Sequence, residues 1–266
     1  MSKINVLIAG STGYIGVQLI NLLIKHKKIN IKYLCGNSSA GKDISSYEKS
    51  LRNKKLPKII KFNEHLLKDV EIIFTALPNG EAQLISKKLL KKNILIDLAA
   101  DFRLDKASSY LKWYKKKHKN KNLYESISAY GVGFHRHNSE IEQMIKNYTK
   151  NKFKFTFTPH LSPMFRGILT TIYVDLPSGK TINNLFNELK KFYKKEKFVK
   201  IAKLNSFVST NDVINTNDCK ISICKSKYKD KAIILSSIDN LIKGGAGQAI
   251  QNMNILKNFD INEGLR

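Results

Sequence analysis

Apolar positions run from Ile4 to Ala9 with only Asn5 between them, then recur at helical spacing through Val17, Leu19, Ile20, Leu22 and Leu23. The first pattern is a strand buried on both faces, and the second is a helix with one apolar stripe. A strand over 4–10 and a helix over 14–26 are expected. Further strands are expected at Ile31–Cys35, Val70–Ala76 and Asn93–Leu98. The polar segment 36–48 reads as a loop, and a helix over 81–91 follows the turn Leu77-Pro78-Asn79-Gly80. Strands alternating with helices predict a parallel, doubly wound α/β sheet that binds ligands beyond the carboxyl ends of its strands. The turns at 77–80 and 99–103 fall at that edge.

From about residue 125 the pattern changes. Lys152–Thr158 and Ile168–Leu176 alternate as strands do, and 219–224 and 231–238 read as further strands. An amphipathic helix is expected over 181–195 and another over 246–256, the latter after Gly244-Gly245. Runs of strands with helices to one side predict an α+β domain. A lysine-rich segment over 106–122 is expected to be pinned by Trp113 and Tyr114, and the aromatic stretch 192–198 reads as core.

Composition narrows the class. A chain of 266 residues can bury a substantial core, and its 42% hydrophobic content is ordinary for a globular protein. No apolar run is long enough to span a bilayer, and the chain begins directly in strand residues, so a cytoplasmic protein with no membrane partner is expected. Cys35, Cys219 and Cys224 have no metal-ligand spacing and fit a reducing compartment. The formal charge of +26 is carried almost wholly by scattered lysine, with arginine only at 52, 103, 136, 166 and 266. Arginine is the better reader of bases and phosphates, so a solvated basic surface and no nucleic-acid partner are expected. The charge can still steer an anionic substrate or cofactor.

The strand–turn–helix at residues 4–23 carries the sharpest chemistry. Gly10 permits a tight turn, Gly13 lets a pyrophosphate approach the backbone, and Gly16 allows close packing. Ser11, Thr12, Tyr14 and Ile15 complete the turn, whose helix N-terminus favours an anion. No acidic residue ends the second strand, where a ribose 2′-hydroxyl would be held. Asn37, Ser38, Ser39 and Lys42 stand there instead, which suits a 2′-phosphate and hence NADP, or equally a plain surface loop.

Seven collinear segments together closely resemble the N-acetyl-γ-glutamyl-phosphate reductase family, relatives of aspartate-semialdehyde dehydrogenase. They are 10–16, Ser-Ala-Gly-Lys (39–42), Ala-Leu-Pro-Asn-Gly (76–80), Asp-Leu-Ala-Ala-Asp-Phe-Arg-Leu (97–104), Tyr-Gly-Val-Gly-Phe-His-Arg-His (130–137) with Glu140-Ile141, Pro-His-Leu-Ser-Pro-Met-Phe-Arg-Gly (159–167) and 237–254. The resemblance implies a Rossmann-type dinucleotide domain over 1–124, completed by a C-terminal helix over 243–266, and an α+β substrate/dimerisation domain over 125–242. It implies NADP-dependent reduction of N-acetyl-γ-glutamyl phosphate to the semialdehyde in arginine biosynthesis, by a homo-oligomer. A thiolate attacks the acyl phosphate, and hydride then reduces the thioester.

By resemblance His135 is the acid/base and His137 its substrate-contacting neighbour, while Arg136 and Arg166 clamp substrate oxygens or form structural ion pairs. Pro78, Gly244 and Asn252 would contact the cofactor, within a stretch Lys243–Gln248 that presents backbone and amide groups to the nicotinamide. Asp101 and Arg103 read as site residues or as a mutual pair, and His160 as satisfied inside its own turn.

The departure from the family is at the nucleophile. Family members carry Asn-Pro-Gly-Cys-Tyr and a later Ser-Gly-x-Ser-Gly-Ala-Gly, and this chain has neither; Tyr124 runs directly into Glu125. By family length roughly 70–80 residues are absent there. Cys35 is expected at the adenosine side, Cys219 at the start of a strand, and Cys224 as a small buried apolar residue. An impaired enzyme is therefore expected. The alternatives are a non-catalytic NADP-binding relative, a partner subunit, or a sequence that has lost a block.

Overall fold

A computed structural model describes residues 3–104, 127–149 and 153–266. The lysine-rich segment with Trp113 and Tyr114, and the Tyr124–Glu125 junction, lie outside the described residues. Contacts divide the chain into two compact units. The first is Met1–Ala76, Leu90–Ile96 and Arg166–Arg266, and the second is Leu77–Leu89 and Asp97–Phe165.

The first unit holds two sheets. Strands β1 (Ile4–Ala9), β2 (Ile29–Cys35), β3 (Ile59–Ile60), β4 (Ile72–Thr75) and β5 (Ile94–Asp97) form one sheet in the order β3-β2-β1-β4-β5. β1 runs parallel to β2 and β4, and β2 to β3. This is the Rossmann half-order, in which the strand sequence reverses direction at β1. Val6, Leu7, Ile8, Ile72, Ile73 and Phe74 are fully buried, as the uninterrupted apolar runs require. Helix α1 (Tyr14–Leu23) buries Leu19, Ile20 and Leu23 and ends three residues earlier than the apolar pattern suggests.

β8 (Ile168–Asp175), β9 (Val199–Ile201), β10 (Cys219–Lys225) and β11 (Lys231–Ile238) form the second sheet in the order β8-β11-β10-β9. β11 pairs antiparallel with β8 and with β10, while β9 joins parallel. The strands expected at 168–176, 219–224 and 231–238 are thus realised nearly residue for residue. The helix expected over 181–195 forms as α4 (Ile182–Phe192), with Thr181 and Asn184 making a capping box. In the aromatic stretch only Phe198 is core; Phe192 is 71% exposed, because it lies on the solvent flank of the helix.

The second unit has a different texture. The helix expected over 81–91 stops at Ser86, and this short α2 (Glu81–Ser86) starts from Gly80 with φ +97°. β6 (Ser128–Ala129) and β7 (His160–Leu161) make a minimal antiparallel pair. Between them lies α3 (His137–Tyr148), a helix that buries no residue. The strand expected over 152–158 is not formed in its described part: Phe153, Phe155 and Phe157 are half-buried, but no strand pairs with them. Alternation supplies one covered face, whereas a strand also needs a partner for its backbone.

Candidate functional site

The glycine turn is built as its chemistry requires. Gly10 has φ +81°, a left-handed conformation that costs glycine least. Its N–H and that of Ser11 donate to the Cys35 carbonyl at 3.0 and 3.1 Å, and the buried Ser11 hydroxyl donates to the same oxygen. Ser11 therefore ties the turn to β2 with both its hydroxyl and its N–H. A Cβ on Gly16 would lie 2.2 Å from the Gly10 carbonyl, so the helix presses on the turn itself as well as on the sheet. A Cβ on Gly13 would meet only ordinary contacts, which leaves that position open to an approaching group. No side chain caps α1, its first turn holds no acid, and its first internal bond runs from Val17 N–H to Gly13 O. An uncapped N-terminus with open glycine backbone fits a pyrophosphate.

The loop after β2 carries exposed Asn37, Ser38 and Lys42. It is tied down by its backbone: Gly41 N–H donates to Ile59 O, and Ile59 N–H to Lys42 O. The Lys42 ammonium lies 6.0 Å from the centre of the Tyr47 ring. Exposed lysine and serine on an anchored loop fit a phosphate ester.

Gly244 belongs to a π-helical turn, Ile242–Ala246, that precedes α5 (Gly247–Leu256). Such turns are rare and gather at functional sites. A Cβ on Gly245 would come within 2.9 Å of Ile15 Cδ1, so this turn packs directly on the start of α1. Asn252 is exposed on α5 and accepts from Gln248 Nε2. The structure thus brings Gly10–Gly16, the 37–42 loop and the π-turn into one unit.

Arg166 belongs to the same unit and is anchored. Its Nη1 donates to Asn215 Oδ1 at 2.7 Å and to Asp239 Oδ2 at 3.1 Å. Asp239 is fully buried and also accepts the N–H groups of Asn215, Leu241 and Ile242. The structural ion pair anticipated as one alternative for Arg166 is present.

The second unit gathers His135, Arg136 and His137. His135 is 8% exposed, its ring lying 5.2 Å from Tyr130, 5.4 Å from Phe157 and 4.7 Å from His137 between centres. The His137 N–H donates to His135 Nδ1 at 3.2 Å, so in the neutral ring the proton rides on Nε2. A base acting through Nε2 needs the other tautomer. Burial holds the His137 ring below the usual imidazole range, against the pull of Glu140. Arg136 is exposed at the start of α3.

Pro78 is exposed in the turn before α2. There Asp101 accepts the Gly80 N–H with both oxygens, at 2.7 and 2.9 Å. Arg103 reaches Leu98 O and Glu140, so these two residues hold backbone and helix in place. His160, expected inside its turn, is exposed on β7, where alternation carries its ring to the solvent side. Sequence reasoning missed α3, although Ile141, Met144, Ile145 and Tyr148 recur at the i, i+3, i+4, i+7 spacing that marks a helix.

The three cysteines lie in three different surroundings. Cys35 is buried behind the glycine turn, and burial pushes its thiol up to about 12. Cys224 is buried and bonds Ser206 O, while Cys219 lies 3.5 Å from Ser236 Oγ on β10.

Residues 5–132 match the family described as semialdehyde dehydrogenase, NAD binding domain, and residues 111–240 match semialdehyde dehydrogenase, dimerisation domain. The fold is shared with aspartate semialdehyde dehydrogenase II of Vibrio cholerae, with TM-score 0.72 and 13% identity over 97% of this chain and 99% of that one. It is also shared with the Candida albicans aspartate semialdehyde dehydrogenase solved with NADP, with TM-score 0.70 and 15% identity over 98% and 100%. Curated proteins named N-acetyl-gamma-glutamyl-phosphate reductase are closer in sequence. That of Brachyspira hyodysenteriae is 32% identical over 98% of both chains, and that of Clostridium botulinum 33% over the same shares. The Clostridium beijerinckii protein is 33% identical over 345 aligned positions that use all of this 266-residue chain, so at least 79 positions hold no residue of it. With a Rossmann-type NAD-binding domain, a dimerisation domain and these relatives, the chain belongs to the N-acetyl-gamma-glutamyl-phosphate reductase family.

Proposed function

We propose that this chain binds NADP(H) and is impaired in the family's reduction of N-acetyl-γ-glutamyl phosphate to N-acetylglutamate semialdehyde, because the nucleophilic cysteine has been lost. The supporting observation is the contrast between the glycine turn, where Gly16 leaves no room for a Cβ against Gly10, and three cysteines held in structural surroundings. Gly10–Gly16 would hold the pyrophosphate, Ser38 and Lys42 the 2′-phosphate, and Pro78, Gly244 and Asn252 the nicotinamide side. When bound, the dinucleotide supplies hydride to an acyl carbon.

That carbon must first be transferred from phosphate to a thiolate. His135 would take the thiol proton and later serve the product oxyanion, with Arg136, His137 and Arg166 holding substrate oxygens. Without the thiol these groups orient a substrate they cannot convert. The functional division is 1–124 with 243–266 for the dinucleotide, and 125–242 for substrate and dimerisation.

A second reading, a non-catalytic partner subunit, draws support from β8. Ile168, Leu169, Ile172 and Tyr173 are exposed on both faces of this edge strand, and Tyr173 is 75% exposed. Such an apolar surface suits a second copy or an intact relative. Titrating the purified chain with NADPH and NADH tests the main reading. Saturable binding that favours NADPH by about tenfold is expected, a difference of ~1.4 kcal/mol. Equal affinities would remove the 2′-phosphate assignment, and no binding would remove the reading.

A further inference from the structure

Behind the π-turn lies a buried polar chain that none of the assignments above uses. Lys243, inside the turn, donates from Nζ to Gln251 Oε1 at 2.9 Å. The same oxygen accepts from Asn217 Nδ2 at 3.0 Å. Asn217 and Gln251 are buried, and Asn217 Oδ1 fills the place that a Cβ on Gly247 would need, at 2.3 Å. The Lys243 ammonium also lies 5.4 Å from the centre of the buried Phe198 ring. One lysine therefore ties the turn to three elements: α5 through Gln251, the start of β10 through Asn217, and the β9 side through Phe198.

The partner chemistry sharpens this. Gln251 is neutral, so the ammonium is half-buried against an amide oxygen and a ring rather than a carboxylate. Burial holds the Lys243 amine below the usual lysine range, opposed by Cys219, Asp218 and Glu196. Such a group is costly to bury, and the geometry it secures is specific. On the other side of the same turn, Gly245 presses on Ile15 at the start of α1. The turn is thus held from behind by Lys243 and rests in front on Ile15.

We infer that Lys243 and Gln251 are positioning residues, which hold the Gly244–Gly245 backbone against the glycine turn at the nicotinamide side of the dinucleotide. The inference rests on the NADP(H)-binding reading above. It separates the two ends of the cofactor, since the 37–42 loop for the 2′-phosphate shares no residue with this chain of contacts.

Adenosine 2′,5′-bisphosphate, which carries the adenosine end alone, is the discriminating probe beside NADPH. The full chain and its Lys243→Met, Gln251→Met and Gln251→Glu variants are titrated with both. Lys243→Met should weaken NADPH about tenfold, ~1.4 kcal/mol, and leave adenosine 2′,5′-bisphosphate within about twofold. Gln251→Met should show the same signature, which keeps the inference testable if either variant fails to fold. Gln251→Glu keeps an acceptor oxygen for Lys243 and should bind NADPH close to wild type. Equal loss of both ligands, or unchanged NADPH affinity in folded variants, overturns the inference. A wild-type chain that binds neither ligand overturns the reading beneath it as well.

Discussion

The glycine turn of the first unit and the histidine strip of the second are built to different standards. Around the turn the constraints are tight: Val6–Ala9 of β1 and all of β4 are buried, Ser11 is bonded to Cys35, and Gly16 admits no extra atom against the Gly10 carbonyl. Around His135 the ring is buried, but α3 beside it buries nothing, and Tyr148 at its end is 81% exposed. Under the proposed reading, binding requires one surface fixed in advance, whereas the chemistry requires a thiolate in the place of the family's missing Asn-Pro-Gly-Cys-Tyr segment. The glycine turn is constrained on every side, whereas α3 beside the histidine strip is not.

The largest effect that would sharpen this contrast is at the buried ion pair of the first unit. Asp239→Ala removes the carboxylate that faces the Arg166 cation and accepts three backbone N–H groups. It should cost about 3–5 kcal/mol in urea unfolding. A loss under about 1 kcal/mol would mean that the pair is not part of the rigid half. Gly16→Ala comes next, since its Cβ would overlap the Gly10 carbonyl. A loss of about 1–3 kcal/mol is expected, with NADPH affinity falling further than stability. Unchanged NADPH binding would detach the turn from the cofactor.

A pH effect of smaller size should also arise in the first unit. His26 is buried between α1 and the C-terminal segment; its Nε2 meets Asn254, its Nδ1 accepts Lys28 N–H, and Phe259, Glu263 and Gly264 pack near it. Burial holds its folded pKa below the unfolded value of about 6.5. The unfolded chain therefore binds the extra proton, and the contribution of His26 is full above about pH 6.5 and declines as pH falls through the lowered value. Thermal melts of wild type and His26→Asn should converge in slope on the acid side if this is wrong, and the variant should be flatter if it is right. Smallest of all, Met144→Ser and Tyr148→Ser on α3 should each change stability by less than about 0.5 kcal/mol. A larger loss would show that α3 packs against the rest of the second unit.

How far the sequence could be read follows the same division. The glycine turn was legible because backbone geometry restricts which residue can stand at Gly10 and Gly16. β1 was legible from its apolar run and β8 from its alternation, and both found partners. The 152–158 segment alternates as well as they do, yet periodicity carries no information about a partner. Helix 81–91 was overextended because Leu89 and Leu90 continue the apolar spacing, whereas Asn93 accepts the Leu90 N–H and closes the segment as a turn. The Lys243–Gln251–Asn217 chain joins residues far apart in sequence, and no local pattern announces it. Arg166 was recognised as a clamp or an ion pair, and only the fold shows Asp239 beneath it.

The central claim concerns the missing thiol, and a reverse-direction assay tests it most directly. The folded chain is supplied with N-acetylglutamate semialdehyde, phosphate and NADP⁺, and NADPH absorbance is followed. No NADPH formation by a chain that binds NADPH is the predicted result. Turnover that disappears in Cys219→Ser or Cys224→Ser would contradict it, because one of those thiols would then be doing the chemistry that their surroundings are argued to forbid.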